Sequence, residues 1–183
     1  MRIAMGLAVL TAMVLLSGCS ALMREPYRQT SRYELTVPEK AGRGSEGNVS
    51  VQSFRNLSAA GRKMYFREAD GRLLEAPYTD WAQEPERMIQ CALTGSFAGY
   101  RTPATIERAE INGAIWQFSL DRASKKAYLG VNYEIRCYLK DRAYRTLSGT
   151  LQYSAPLEDD TGAAAAGAMS KCVEELAQAL EQL

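Results

Sequence analysis

One stretch of the chain, Tyr128 to Leu139, alternates without a break: Leu129, Val131, Tyr133, Ile135, Cys137 and Leu139 fall on one side, and Tyr128, Gly130, Asn132, Glu134, Arg136 and Tyr138 on the other. A period of two is that of a strand, whose successive side chains point to opposite faces. A strand this long and this one-sided cannot stand alone in water. Its apolar side needs neighbouring strands at its edges and another layer over its face.

The covering layer is legible at the C-terminus. Asp159, Asp160 and Thr161 supply negative charge and a cap for a helix start. Ala163–Ala166 has high helix propensity, and Met169, Cys172, Val173, Leu176, Leu180 and Leu183 form an apolar stripe. Lys171, Glu174, Glu175, Gln178 and Glu181 face water. A second helix is expected over Glu86 to Phe97, with Pro85 suited to its first position and Met88, Ile89, Ala92, Leu93 and Phe97 on one stripe.

Further strands are expected at Tyr33–Val37, stopped by Pro38, and at Asn48–Phe54, with Val49, Val51 and Ser53 on one face. Lys63–Ala69 and Arg72–Ala76 flank Asp70-Gly71, a strong hairpin turn, and Asn112-Gly113 is a second such signal between Thr105–Ile111 and Ala114–Asp121. Lys140-Asp141-Arg142 turns the chain into a strand from Tyr144 to Tyr153, with Leu147, Leu151 and Tyr153 in phase. The pattern predicts one α+β domain over residues 33–183, a mostly antiparallel sheet of about seven strands backed by two amphipathic helices.

Composition restricts function. Lys plus Arg number 22 against 21 Asp plus Glu, so no charge excess points to nucleic acid. The 183 residues include no histidine, which removes Ser-His-Asp and Cys-His nucleophiles, His-bound metals and the usual neutral-pH proton shuttle. No Ser-x-x-Lys occurs. Gly42-Arg43-Gly44-Ser45-Glu46-Gly47 matches G-x-G-x-x-G, but the residues after it read as a strand where a dinucleotide site needs a helix. A non-catalytic protein without cofactor or metal is expected.

The N-terminus gives the address. After Arg2 an apolar run extends from Ile3 to Leu16, too short for the roughly 20 residues of a membrane-spanning helix and laid out as a secretory signal. It ends in Leu16-Ser17-Gly18-Cys19, which resembles the bacterial lipobox. That resemblance implies cleavage between Gly18 and Cys19, with diacylglycerol and an N-acyl chain on Cys19. Residues 1–18 are then the signal peptide and 19–32 the lipidated cysteine and a flexible tether. Two or more acyl chains hold a protein stably on a membrane. Ser20 stands where many Gram-negative inner-membrane lipoproteins carry Asp, so by resemblance the periplasmic face of the outer membrane is the expected location.

Three other cysteines follow, Cys91, Cys137 and Cys172, in an oxidising compartment. Cys137 and Cys172 sit on predicted inward faces and are the candidate disulfide pair; buried free thiols are the alternative. Arg136, Tyr138, Lys140, Arg142 and Tyr144, with Arg145, make a basic, tyrosine-interleaved cluster. It reads either as the solvated face of a sheet or as a partner surface, since Tyr and Arg are favoured at interface hot spots.

Tyr33-Glu34-Leu35 as an opening strand, Tyr65-Phe66-Arg67 before a hairpin, Tyr78…Trp81-Ala82…Pro85 leading into a helix with Met88 and Leu93, and an Ala-rich stretch with Met169 opening the last helix occur in that order. This order resembles the ABC-type transport auxiliary lipoproteins, relatives of the lipoprotein component of paraquat-inducible-type MCE transport systems. The resemblance runs from about Arg32 to Leu183 and carries no functional residue across; Tyr78 and Trp81 are assigned to the fold. It implies an accessory that contacts MCE-domain and ABC permease or ATPase proteins moving lipids or other hydrophobic molecules between membranes. The alternatives are an outer-membrane assembly lipoprotein of the lipopolysaccharide-insertion type and a lipid-binding lipoprotein.

Overall fold

The structure, a computed structural model, describes residues 28–38 and 47–183. Gly18 and Cys19, the G-x-G-x-x-G stretch apart from Gly47, and the expected signal peptide lie outside the described residues. The elements run β1 (Ser31–Tyr33), β2 (Val49–Asn56), β3 (Lys63–Arg67), β4 (Leu73–Trp81), α1 (Pro85–Phe97), β5 (Ile106–Asp121), β6 (Lys126–Leu139), β7 (Tyr144–Pro156) and α2 (Gly162–Glu181). They form one sheet in the order β1-β4-β3-β5-β6-β7, with β2 also on β5, and both helices pack against it. The α+β class and the number of elements are as the sequence predicts.

The sense of the sheet is not. It is mixed: β1 runs parallel to β4, and both β2 and β3 run parallel to β5, while β3–β4, β5–β6 and β6–β7 are antiparallel. An expected turn is also missing. The expected hairpin at Asn112-Gly113 does not form; β5 continues through it from Ile106 to Asp121. Gly113 serves close approach instead, since a Cβ there would stand 2.2 Å from the Phe54 ring of β2. With no reversal at that point, β2 and β3 lie end to end along one edge of β5, while β6 occupies the other.

The first strand is also displaced. Sheet pairing ends at Tyr33, opposite Trp81, and residues 34–38 leave the sheet. There the Thr36 N–H donates to Ser170 Oγ of α2 at 2.9 Å. The Asp70-Gly71 turn does form, with Gly71 at φ +85°, a conformation glycine adopts without steric cost.

The alternation of β6 sorts the faces as expected. Ala127, Leu129, Val131, Ile135 and Cys137 are buried on the helix side. The outer side is polar, where Thr150 donates to Asn132 Oδ1 at 2.8 Å and Gln152 to Gln117 Oε1 at 2.9 Å. Helix α2 covers β6 and β7 with Ala165, Met169, Cys172, Val173 and Leu176, all fully buried. Each large apolar side chain so covered contributes roughly 1.5–3 kcal/mol. Thr161 caps α2 by accepting the Ala164 N–H at 3.2 Å, and Asp159 Oδ1 accepts from the Thr161 N–H and hydroxyl at 2.8 and 2.5 Å. Helix α1 packs chiefly on β2, and Trp81 meets Phe118 edge to face, 5.2 Å between ring centroids. No helix among the described residues is long and apolar enough to cross a membrane.

Candidate functional site

The far end of the β6–β7 hairpin presents two chemically different faces. Outward, Arg108 of β5, Tyr138 of β6 and Tyr144 of β7 stand in one row across three strands, and Glu110, Arg136 and Thr146 form the next. The Arg108 guanidinium lies 3.9 Å from the Tyr138 ring centroid and reaches Glu110 Oε1 at 2.7 Å, while the Tyr138 hydroxyl donates to Glu110 Oε2 at 3.1 Å. Arg136 pairs with Glu134 at 2.7 Å.

The expected cluster is therefore brought together in part: Arg136, Tyr138 and Tyr144 share the outer face, Arg136 is paired with Glu134, and Arg145 lies on the inner face. Lys140 and Arg142 are exposed in the hairpin turn, where Arg142 takes φ +68°, and Tyr144 is 69% exposed. Exposed pairs of this kind contribute about 0–1 kcal/mol each to stability. Sequence reasoning missed Arg108 and Glu110. Their signal was the polar side of β5, which the expected turn at Asn112 had cut in two.

Inward, the same hairpin end forms one wall of a cleft of about 490 Å³. The floor is Ala109, Ile111, Ile135 and Cys137, and the far walls are the loop after α1 and the last turn of α2 with Leu180. Asn48 holds the loop in place. Its amide nitrogen donates to Thr102 Oγ1 at 2.6 Å and to the Glu107 carbonyl at 3.1 Å, while its Oδ1 accepts the Thr102 N–H at 2.9 Å. The loop is tied to α2 by the Tyr100 hydroxyl, which donates to the Glu181 carbonyl at 3.1 Å. Gly47 lets the chain pass close enough, because a Cβ there would sit 2.9 Å from the Tyr100 backbone. Arg145 of β7, opposite Cys137 in register, reaches the cleft lining.

Cys137 and Cys172 are both buried, as expected, and both are free thiols. The Cys172 Sγ lies against the Ala127 carbonyl at 3.8 Å. Cys137 is about ten residues further along the same strand, roughly 33 Å away at the strand rise, so the expected bridge is ruled out by position. Sharing a face did not mean sharing a place. Burial pushes the Cys172 thiol up to about 12 and raises that of Cys137, where the Arg145 charge opposes the shift. Cys91 is exposed on α1. Among the described residues no cluster of three or more acidic or cysteine side chains is arranged to hold a metal.

No family model matches the chain, and no curated protein does. Solved structures do. A Xanthomonas campestris protein described as DUF330 is 16% identical with a TM-score of 0.58, over 82% of this chain and 92% of its own. An uncharacterized protein is 10% identical with a TM-score of 0.63, over 85% and 98%. At these identities the likeness is one of fold.

Proposed function

We propose that the chain is a non-catalytic, lipid-anchored accessory of an ABC/MCE-type transporter, held at the periplasmic face of the outer membrane through Cys19. The observation that carries this reading is the order of parts. Leu16-Ser17-Gly18-Cys19 stands a short way ahead of an α+β domain whose first strand opens at Ser31, and that domain shares its fold with the DUF330 protein. A lipid anchor confines a domain to a layer at the membrane surface and raises its effective concentration for partners that reach there. The row of Arg108, Tyr138 and Tyr144, with Lys140 and Arg142 at its tip, supports a docking role, as arginine and tyrosine are the side chains that anchor interfaces.

The test is fractionation followed by co-purification. The wild-type chain is expected in outer-membrane fractions with an acylated N-terminal cysteine, and the Cys19→Ala chain in a form that keeps its signal peptide and lacks the acyl groups. MCE-domain and permease proteins are expected to co-purify with the wild type and not with Cys19→Ala. Recovery of a β-barrel partner with loss of surface glycolipid would favour the outer-membrane assembly reading instead.

A further inference from the structure

We infer that the cleft at the end of α2 binds a long-chain fatty acid, its hydrocarbon chain between the sheet and the loop after α1 and its carboxylate at Arg145. The inference stands on the cleft rather than on the accessory role. The volume of about 490 Å³ falls in the range of small-molecule sites, roughly 300–1,000 Å³. The walls are hydrocarbon: Val49, Phe97, Ile106, Ile135, Leu147 and Leu180. They are also held in shape before any ligand arrives, by the Asn48 hydrogen bonds and the Tyr100–Glu181 tie. Leu147 points inward on β7 yet remains 41% exposed, so the cleft offers apolar surface that the protein's own side chains leave uncovered.

The charge at the lining selects the ligand end. Arg145 is the cation there, and no ion pair joins it to a described carboxylate. Glu181 also lines the cleft and has interactions of its own. A guanidinium beside an apolar channel matches one chain ending in one carboxylate, through a forked, charge-assisted hydrogen bond. Each methylene taken out of water strengthens binding about fourfold, so chain length should dominate affinity.

The experiment uses the full chain in isolated membranes with a photoreactive, alkyne-tagged palmitate and its methyl ester as probes. Saturable labelling by the acid is expected on peptides spanning Ile135–Leu139, Tyr144–Thr150 and the end of α2, displaced by untagged palmitate. Leu147→Asp, which sets a negative charge at an exposed position of the lining, is expected to lower acid labelling on the order of tenfold. Arg145→Gln, at an exposed residue without structural partners, is expected to lower acid labelling about fivefold and leave the methyl ester unchanged. The second variant decides the matter should the first disturb folding. Labelling that does not saturate, that scatters over the surface, or that is the same in wild type and Arg145→Gln overturns the inference, as does crosslinking of the cleft peptides to another polypeptide in place of the probe.

Discussion

Near Lys126 and Pro156, β6 and β7 lie beneath α2, and Ala127, Leu129 and Val131 are at most 1% exposed. Near Leu139 and Tyr144, the same two strands continue with the same alternation, but Leu147 is 41% exposed and the inward face opens into a cleft. The two regions share strands, register and hydrophobic pattern; they differ in whether a helix reaches them. Helix α2 begins beside Tyr33 and Thr79, crosses the sheet over Ala127, and runs out at Glu181 just where the cleft starts. The apolar face of the sheet is longer than its cover. An alternating strand states which side must avoid water, whereas the length of the covering layer decides how much of that side succeeds.

Truncating one leucine in each region gives the largest expected contrast. Leu176→Ala, on the buried face of α2 over the covered region, should lower the unfolding free energy by about 2–5 kcal/mol in urea melts, and Leu147→Ala in the open region by no more than about 0.5 kcal/mol. Similar losses in the two variants would erase the distinction. The next effect concerns how α2 starts. Thr161→Ala removes the side-chain acceptor of the Ala164 N–H and should cost about 1 kcal/mol, measured the same way.

Acid should act on the same cap. The two hydrogen bonds from Thr161 hold the Asp159 carboxyl below its ordinary value of 3.8. The folded form therefore favours the ionised group, and its contribution is complete above that value and lost as pH falls through the folded one. Asp159→Asn, neutral at every pH, is expected to lower stability in the neutral range, to approach wild type at low pH, and so to flatten the acid end of the stability-against-pH curve. The smallest effect is kinetic and compares the regions directly. At mildly alkaline pH, alkylation should go in the order Cys91, Cys137, Cys172, because the first is exposed and the last is buried with its thiol raised to about 12. Palmitate, if it fills the cleft, should slow Cys137 alone; slowing of Cys172 would place the ligand under α2 instead.

The elements that depended on neighbouring residues were legible in the sequence. Tyr128–Leu139 alternates, Thr161 caps, and Asp70-Gly71 turns, each for reasons contained in a few positions. Asn112-Gly113 has the same local chemistry as a turn, yet its glycine answers to Phe54, a residue far back in the chain. That one ambiguity joined two expected strands into one. The cleft was illegible for a similar reason. Its shape is held by Asn48 bonding to Thr102 and Glu107, a link that no periodicity announces. The tyrosine and arginine cluster was found from composition, but its carboxylate partner Glu110 comes from another strand. Leu16-Ser17-Gly18-Cys19, the stretch that resembles a lipobox, lies outside the described residues.

The chain comes into the domain at one pole and opens its cleft at the other. Arg28 stacks on Tyr78 and β1 pairs with β4 at one edge of the sheet, while the cleft sits past the last turn of α2, a helix about 30 Å long. The start of β1 and the mouth of the cleft are thus separated by about the length of that helix.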